Sequence, residues 1–349
     1  MGRLKVCILA GPSAGVPTQP LPQLLLRRHT VLLHALMADL AALPDVELMP
    51  VTGMAALPDQ ALTAARFVQD GAAGYMAVPL HARTSWRHAG PRTPACILAS
   101  DAVWPLALTA RVTLERVSGD VLRAGRMLLG SAPEAVAATA SKLGLARILA
   151  AHGIPVAATY SPHAAVPHVA GPWVAKPDDG AGCTHSQLFC DRAAALDWIR
   201  SRPADGYVLQ PFVAGKPGSL SLICCDGNAR VLACNLDRVA MRDNRFHVLG
   251  SVVNGLADDD GALARLGQQV AAAIAGLWGH VGVDFVLTAR GAVVLDVNPH
   301  PSIAYAGLHA SIGCNPAGLV VDLLKEPKAL PAPVPPGRRR AVSVDAGGT

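Results

Sequence analysis

Residues 293–301 read VVLDVNPHP. An apolar run carries Asp296 and Asn298 two residues apart and then breaks at Pro299. Side chains alternate across a strand, so both groups project to one face. The preceding run GVDFVLTARG (282–291) reads as the partner strand of a hairpin that turns at 289–291. That turn brings Asp284 to the same end as Asp296 and Asn298. Three oxygen donors at one strand end suit a hard divalent cation, magnesium first and manganese as the alternative. A cation there would stabilise charge that develops as a phosphoryl group moves. Asp and Asn also favour turns, so a purely conformational role before Pro299 stays open.

The chain has six lysines, and arginine is its usual cation. Yet Lys176 ends the apolar run PWVAKP, directly before the turn DDGAG (178–182), which holds Asp179, Gly180 and Gly182. An ammonium at the end of a buried strand is costly without an anionic partner. Glycines let a backbone approach a phosphate closely and donate its amides. Lys142 opens the helical run SKLGLARIL. The alternative for Lys176 is a surface lysine that follows a strand.

Elements must hold these groups in place. LKVCILAG (4–11) reads as a buried first strand and LLLRRHTVLLHALMADLAAL (24–43) as a helix. VELMPV (46–51), AGYMAVPL (73–80) and ACILAS (95–100) read as further strands. The alternation predicts an open α/β layer over the first ~125 residues. In SAPEAVAATASKLGLARILAAHGIPVAAT (131–159), Ser131 and Glu134 form a capping-box signal and Gly153 a helix stop. YVLQPFVAG (207–215) is a strand running into a loop, and 219–253 reads as a meander with turns at 226–228 and 243–244. DDDGALARLGQQVAAAIAGLWG (258–279) is a helix closed by Gly279.

A length of 349 residues exceeds one compact core and predicts two or three domains. Hydrophobic residues are 51% of the chain, ample for a core. The net charge of +5 comes mostly from scattered arginines, without a basic stripe interleaved with aromatics. That argues against nucleic-acid partners. Eight cysteines without a CxxC pair read as reduced thiols. No stretch is long and apolar enough for a membrane span, and the N-terminus lacks a signal-peptide pattern. The expectation is a soluble cytoplasmic protein. LPAPVPPGRRR (330–340) reads as an extended linker. VSVDAGGT (342–349) is similar to the opening strand and phosphate loop of actin-like kinases, yet at this place reads as a disordered tail.

In order and spacing, SKLGLARILAAHGIPVAAT, WVAKPDDGAG, LQPFVAG, GVDFVL and VVLDVNPHP resemble the ATP-grasp family over about residues 130–325. The resemblance implies an α/β and α+β chain: an N-terminal α/β pre-domain (1–128), a small lobe (129–205), a large lobe with the metal site (206–329) and a Pro/Arg-rich tail (330–349). The two lobes would clamp ATP. Lys142 and Lys176 would hold its phosphates, and the loop with Asp179, Gly180 and Gly182 would close over them. The segment carrying Gln210, Phe212 and Val213 would meet the adenine. Asp284, Asp296 and Asn298 would bind magnesium. The activity implied is ADP-forming ligation of a carboxylate to an amine through an acylphosphate, on small-molecule substrates. A homodimer is left open.

MLLGSAPEAVAATASKLGLARILAAHGIPV, CNLDRV and DVNPHPSIAYAGLHASIGCNPAGLV look like the tyramine–glutamate ligase group of methanofuran biosynthesis, whose bacterial relatives occur in methylotrophs. This implies glutamate and tyramine or a tyrosine-like amine as substrates, with Ser302 and Tyr305 bordering the acceptor end. Ser302 as a helix cap and Tyr305 as core are the alternatives. The sequence departs from the pattern at Asp296 (usually Glu), at His300 (usually Arg), at Gln210 (no ribose carboxylate nearby) and at Asp237 (where Gln is expected). Arg238, Arg242 and Arg245 are then the candidates to replace the missing positive charge, with solvated surface arginines as the alternative. His300 and Arg238 join Lys176 and Asn298 as catalytic candidates. Another amino-acid acceptor, or a catalytically weakened nucleotide-binding regulator, are the competing readings.

Overall fold

The computed structural model describes residues 2–10, 23–49, 66–69, 72–75, 95–106, 111–180, 183–202, 206–326 and 329–346. The chain begins β1 (Leu4–Ala10), α1 (Gln23–Ala41), β2 (Val46–Leu48), β3 (Arg66–Gln69), β4 (Ala72–Tyr75), α2 (Ala95–Ala99), β5 (Ala102–Leu106), α3 (Arg111–Arg123) and β6 (Met127–Leu128). Strands β2-β1-β5-β6 pair in that order, all parallel. The last five residues of β1 and all of β5 are buried, as expected of strands covered on both faces. Pro105 is tolerated in β5 because pairing with β6 ends at Val103.

Two expectations fail here. ACILA is the helix α2 rather than a strand, and the strand is the next run, AVWPL. A short apolar run does not distinguish the two by periodicity. The strand expected over 73–80 is seen only as β4, which pairs with β3 outside the parallel sheet. Residues 50–51 and 76–80 of the expected strands lie outside the described residues.

Next come α4 (Pro133–Ala140), α5 (Lys142–Ala151), β7 (Trp173–Pro177), β8 (Gln187–Phe189), α6 (Arg192–Arg200) and β9 (Tyr207–Pro211). The expected capping box at Ser131 is absent. Ser131 bonds the backbone of Trp278, and Ala132 precedes Pro133 at the first helical position. The cap belongs instead to Ser141, which accepts from Gly144 N at 2.9 Å and divides the run into two helices. Strands β7, β8 and β9 with α6 enclose a small core around Trp173, Ala195 and Leu209.

The third block is β10 (Lys216–Cys225), β11 (Asn228–Arg242), β12 (Arg245–Val253), α7 (Ala262–Ala273), β13 (Gly279–Thr288), β14 (Gly291–Asn298), α8 (Tyr305–Ile312), α9 (Pro316–Lys325) and β15 (Val342–Asp345). The long sheet runs β14-β13-β10-β11-β12-β15-β3-β4. Asp226–Gly227 and Asp243–Asn244, all at positive φ, make the two-residue hairpin turns. The helix α7 is shorter than 258–279 because Asp258 caps it and Gly276 adopts φ +84° soon after it ends.

The tail corrects another expectation. Residues 342–345 are not disordered but form β15, paired with β12 on one side and β3 on the other. Val342 and Val344 are buried in one core with Ile8, Leu36, Leu308 and Val320. That core joins the parallel sheet to α8, α9 and the long sheet.

Candidate active site

The hairpin β13–β14 positions the carboxylates. Asp284 and Asp296 are direct cross-strand partners, and Asn298 lies opposite Gly282. Directly opposed residues share a face, so all three project together. Asn298 Nδ2 donates to Asp284 Oδ2 at 3.1 Å. A register shift just past Asp284 makes Val294 the partner of Phe285. The irregularity lets Val294 enter the core while Asp296 faces the opposite way, a common use of a bulge beside a site.

Two lysines arrive from other elements. Lys142 starts α5, and its Nζ lies 3.4 Å from Asp296 Oδ2. It also donates to the carbonyl of Gly180 at 2.7 Å and of Asp178 at 3.3 Å. Asp178 Oδ1 in turn accepts from Leu143 N at 2.9 Å, so the turn after β7 is fixed to the first turn of α5. Lys176 is buried at the end of β7. Burial and the neighbouring Lys142 ammonium lower its pKa to about 8, against the opposing pull of Asp296 and Asp284. Asp179 is exposed, and Gly182 lies outside the described residues.

The long sheet extends this row. Ser219 on β10 is the partner of Asp284 on one side and of Asn235 on the other. Its hydroxyl donates to Asp237 Oδ1 at 3.3 Å. Asn235 Nδ2 donates to Ser221 Oγ at 3.0 Å, and Asp237 pairs with Ser251 across β11–β12. From α1, Arg28 donates to the carbonyl of Val248 at 2.8 Å, with Asp237 within electrostatic reach. Burial raises the Asp237 pKa, against hydroxyls of Ser251 and Ser219 and the Arg28 charge. His29 is buried, and burial and the neighbouring His300 bring its pKa down to about 4. Apart from Asp237, noted only as a departure from a pattern, these groups went unnoticed in sequence. The alternation of Ser219 and Ser221 with Leu220 and Leu222 was the available signal, as was a charged pair with His29 inside an apolar helix.

Other candidates are placed less centrally. His300 Nδ1 donates to the Pro301 carbonyl, 3.0 Å away, and the ring lines a small cleft with Trp104, Ser131 and His280. Arg238 points to the opposite face from Asp237, where it pairs with Asp345 and donates to the Val344 carbonyl at 3.2 Å. The tail strand, and not the carboxylate row, holds it. Gln210 Nε2 donates to Thr159 Oγ1 at 2.7 Å. The Phe212 amide donates to Pro172 O, and its ring stacks on Phe246 at 6.3 Å, while Val213 is half-buried beside it. Ser302 and Tyr305 line a small cavity with Ser221, His280 and Gly282. Tyr305 is 2% exposed, edge-on to His280, with its hydroxyl side beside Asp39. That placement supports its reading as a core residue.

Among the described residues, no three His, Cys, Asp or Glu side chains form a metal cluster. The row offers two carboxylates and one amide instead. Hard oxygen donors of that number fit a magnesium ion whose other positions go to water and phosphate. Among the same residues, no helix is long and apolar enough to cross a membrane.

Residues 139–302 match the family model of an ATP-grasp domain. No curated protein matches the sequence. Several solved structures resemble the chain over most of its length. An ATP-grasp superfamily protein of Archaeoglobus fulgidus shares 18% identity at a TM-score of 0.64, covering 91% of this chain and 88% of its own. The L-amino acid ligase of Bacillus licheniformis shares 15% at 0.60, covering 93% and 74%. The D-alanine–D-alanine ligase of Bacillus anthracis, complexed with ATP, shares 14% at 0.60, covering 93% and 96%. At these identities the likeness establishes the fold. It is the mixed α/β and α+β fold expected, with a parallel sheet before a curled antiparallel one.

Proposed function

We propose that this chain, which carries an ATP-grasp domain over residues 139–302, is an ATP-dependent carboxylate–amine ligase that forms ADP. One observation carries the reading most. Lys142 and Lys176, from two separate elements, converge on Asp296 and its partners Asp284 and Asn298. Buried like charges beside carboxylates are costly to assemble, and a phosphate-handling role explains them. The division into pre-domain, small lobe and large lobe near residues 128 and 205 belongs to the same reading.

The residues fit the chemistry in distinct roles. A carboxylate is a poor electrophile until phosphorylation gives it a leaving group. Lys142 and Lys176 neutralise charge on the transferring phosphoryl group. Asp284, Asp296 and Asn298 would hold magnesium, which when bound neutralises and orients the phosphates. Gly180 and Asp178 keep Lys142 aimed at Asp296. Val213, beside the end of β9, belongs to the segment that would border the adenine. Small-molecule substrates follow, with glutamate and tyramine or a tyrosine-like amine as the finer proposal. It rests on the motif CNLDRV and on the run from Asp296 to Val320.

A second reading keeps the nucleotide and loses the turnover. The contact of His300 with Pro301 O favours it, since neutral histidine does not replace a phosphate-holding guanidinium. The test is ADP release by the purified protein with Mg-ATP and glutamate, with and without tyramine or tyrosine, followed by mass analysis. Amine-dependent ADP and a γ-glutamyl product are expected. Mg-ATP binding without turnover on any amine would leave the second reading.

A further inference from the structure

Next to the carboxylate row, the sheet face ends in a corner whose polar groups have spare bonding capacity. Ser251 is 1% exposed, and its hydroxyl faces the Asp237 carboxylate across β11–β12, which leaves the oxygen's acceptor capacity spare. The Nε of Arg28 and the Nε2 of His29 are buried without hydrogen-bond partners among the described residues. Asp237 is met by the hydroxyls of Ser219 and Ser251, with no cation bonded to it among the described residues. Arg28 and Asp237 feel each other's charge but form no ion pair among the described residues; Arg28 is held at Val248 O instead. A folded chain rarely leaves several buried polar atoms unpaired in one place, because each costs the full desolvation penalty.

We infer that this corner binds the head group of an α-amino acid, with Arg28 taking the carboxylate and Asp237 with Ser251 taking the ammonium. A guanidinium and a carboxylate that stand near each other unjoined match a zwitterion in both sign and order. Ser251 supplies a neutral acceptor, and neutral His29 supplies a further polar contact at the corner's edge. The inference rests on the ligase reading and deepens it. With its α-carboxylate held by Arg28, the amino acid has only a side-chain carboxylate left to be phosphorylated at the Lys142–Asp296 end. Ser219, bonded to Asp237 and opposite Asp284, links the two ends along one strand face.

Calorimetric titration of the full chain decides it, with MgADP and with L-glutamate, N-acetyl-L-glutamate, glutamate α-amide and a panel of other L-α-amino acids. The parent is expected to bind one free α-amino acid at least about tenfold tighter than its N-acetyl form, the size of one lost charge-assisted bond. Asp237→Asn and Ser251→Ala should shrink that preference, and Arg28→Gln should remove the preference for the free α-carboxylate over the amide. MgADP affinity should stay within about twofold in each. A merely structural role would not alter discrimination between blocked and free head groups. Normal MgADP binding with no such discrimination in the parent, or with discrimination unchanged in the variants, overturns the inference alone. Absence of MgADP binding to the parent overturns the ligase reading and this inference together.

Discussion

The two ends of one sheet face were built differently. At the β13–β14 end, Asp284, Asp296 and Asn298 lie within one hairpin, and their oxygens meet two lysines. At the β11–β12 corner, Asp237 and Ser251 meet Arg28, which donates to a carbonyl 220 residues away in sequence. The oxygen donors of the first end are local to one hairpin, and its charges are largely matched. The second is assembled by packing α1 onto the sheet, and it retains donors on Arg28 and His29 without partners among the described residues. The difference teaches where each kind of binding energy sits. On the proposed ligase reading, matched buried charges would serve a ligand that changes charge during the reaction, and unmatched polar groups one that is recognised.

The largest effect should come from Asp296→Ala. It leaves Lys142 and Lys176 without their nearest carboxylate, so ADP release should fall by about a thousandfold. Stability should fall by about 3 kcal/mol, as when one partner of a buried pair is removed. Steady-state kinetics and urea unfolding would read both, and unchanged turnover would separate this end from the chemistry.

Lys176→Met should cost about a hundredfold in turnover while raising stability at neutral pH. The sign follows from linkage. With the lysine's folded pKa near 8 and its unfolded value at 10.5, the unfolded chain binds the extra proton between those values. Stability of the parent therefore rises through that window, and none of the gain is present at pH 7. The stability gap between variant and parent should narrow from pH 7 to pH 10. A constant gap would mean that Lys176 is not a buried charge.

Gly250→Ala breaks the other end. Gly250 has φ +149°, and an added Cβ would meet the Val344 carbonyl at 2.1 Å. A loss of about 2–3 kcal/mol is expected, together with weakened amino-acid binding. MgADP affinity should survive, since the hairpin end is untouched; joint loss of both affinities would show that the two ends fold as one unit. The smallest effect is expected at Tyr305→Phe. Its hydroxyl sits beside Asp39 in the core, so stability should change by less than about 1 kcal/mol and KM for any substrate should hold. A raised KM for the amine would return Tyr305 to the acceptor site.

The hairpin end was legible because strand alternation and a short turn fix which residues share a face. The divided helix at Ser141 was harder to read, since Ser131 offers an equal capping pattern and only tertiary contact with Trp278 removes it. The surroundings of Arg238 were hidden for a related reason. Its parity on β11 is opposite to that of Asp237, and β15 supplies Asp345 to hold it. A Pro-rich approach and a short apolar run made residues 342–345 look like a tail, and partners on both flanks made them a strand.

By itself, the sequence determined the period of its strands, the local hairpins and the grouping of Asp284, Asp296 and Asn298. Those follow from backbone geometry over a few residues. Only the tertiary structure decided that Lys142 faces Asp296, that Arg28 reaches the sheet at Val248 and that Ser251 is buried beside Asp237. Such contacts depend on how separate elements bury their apolar faces together, and no spacing along the chain encodes that distance.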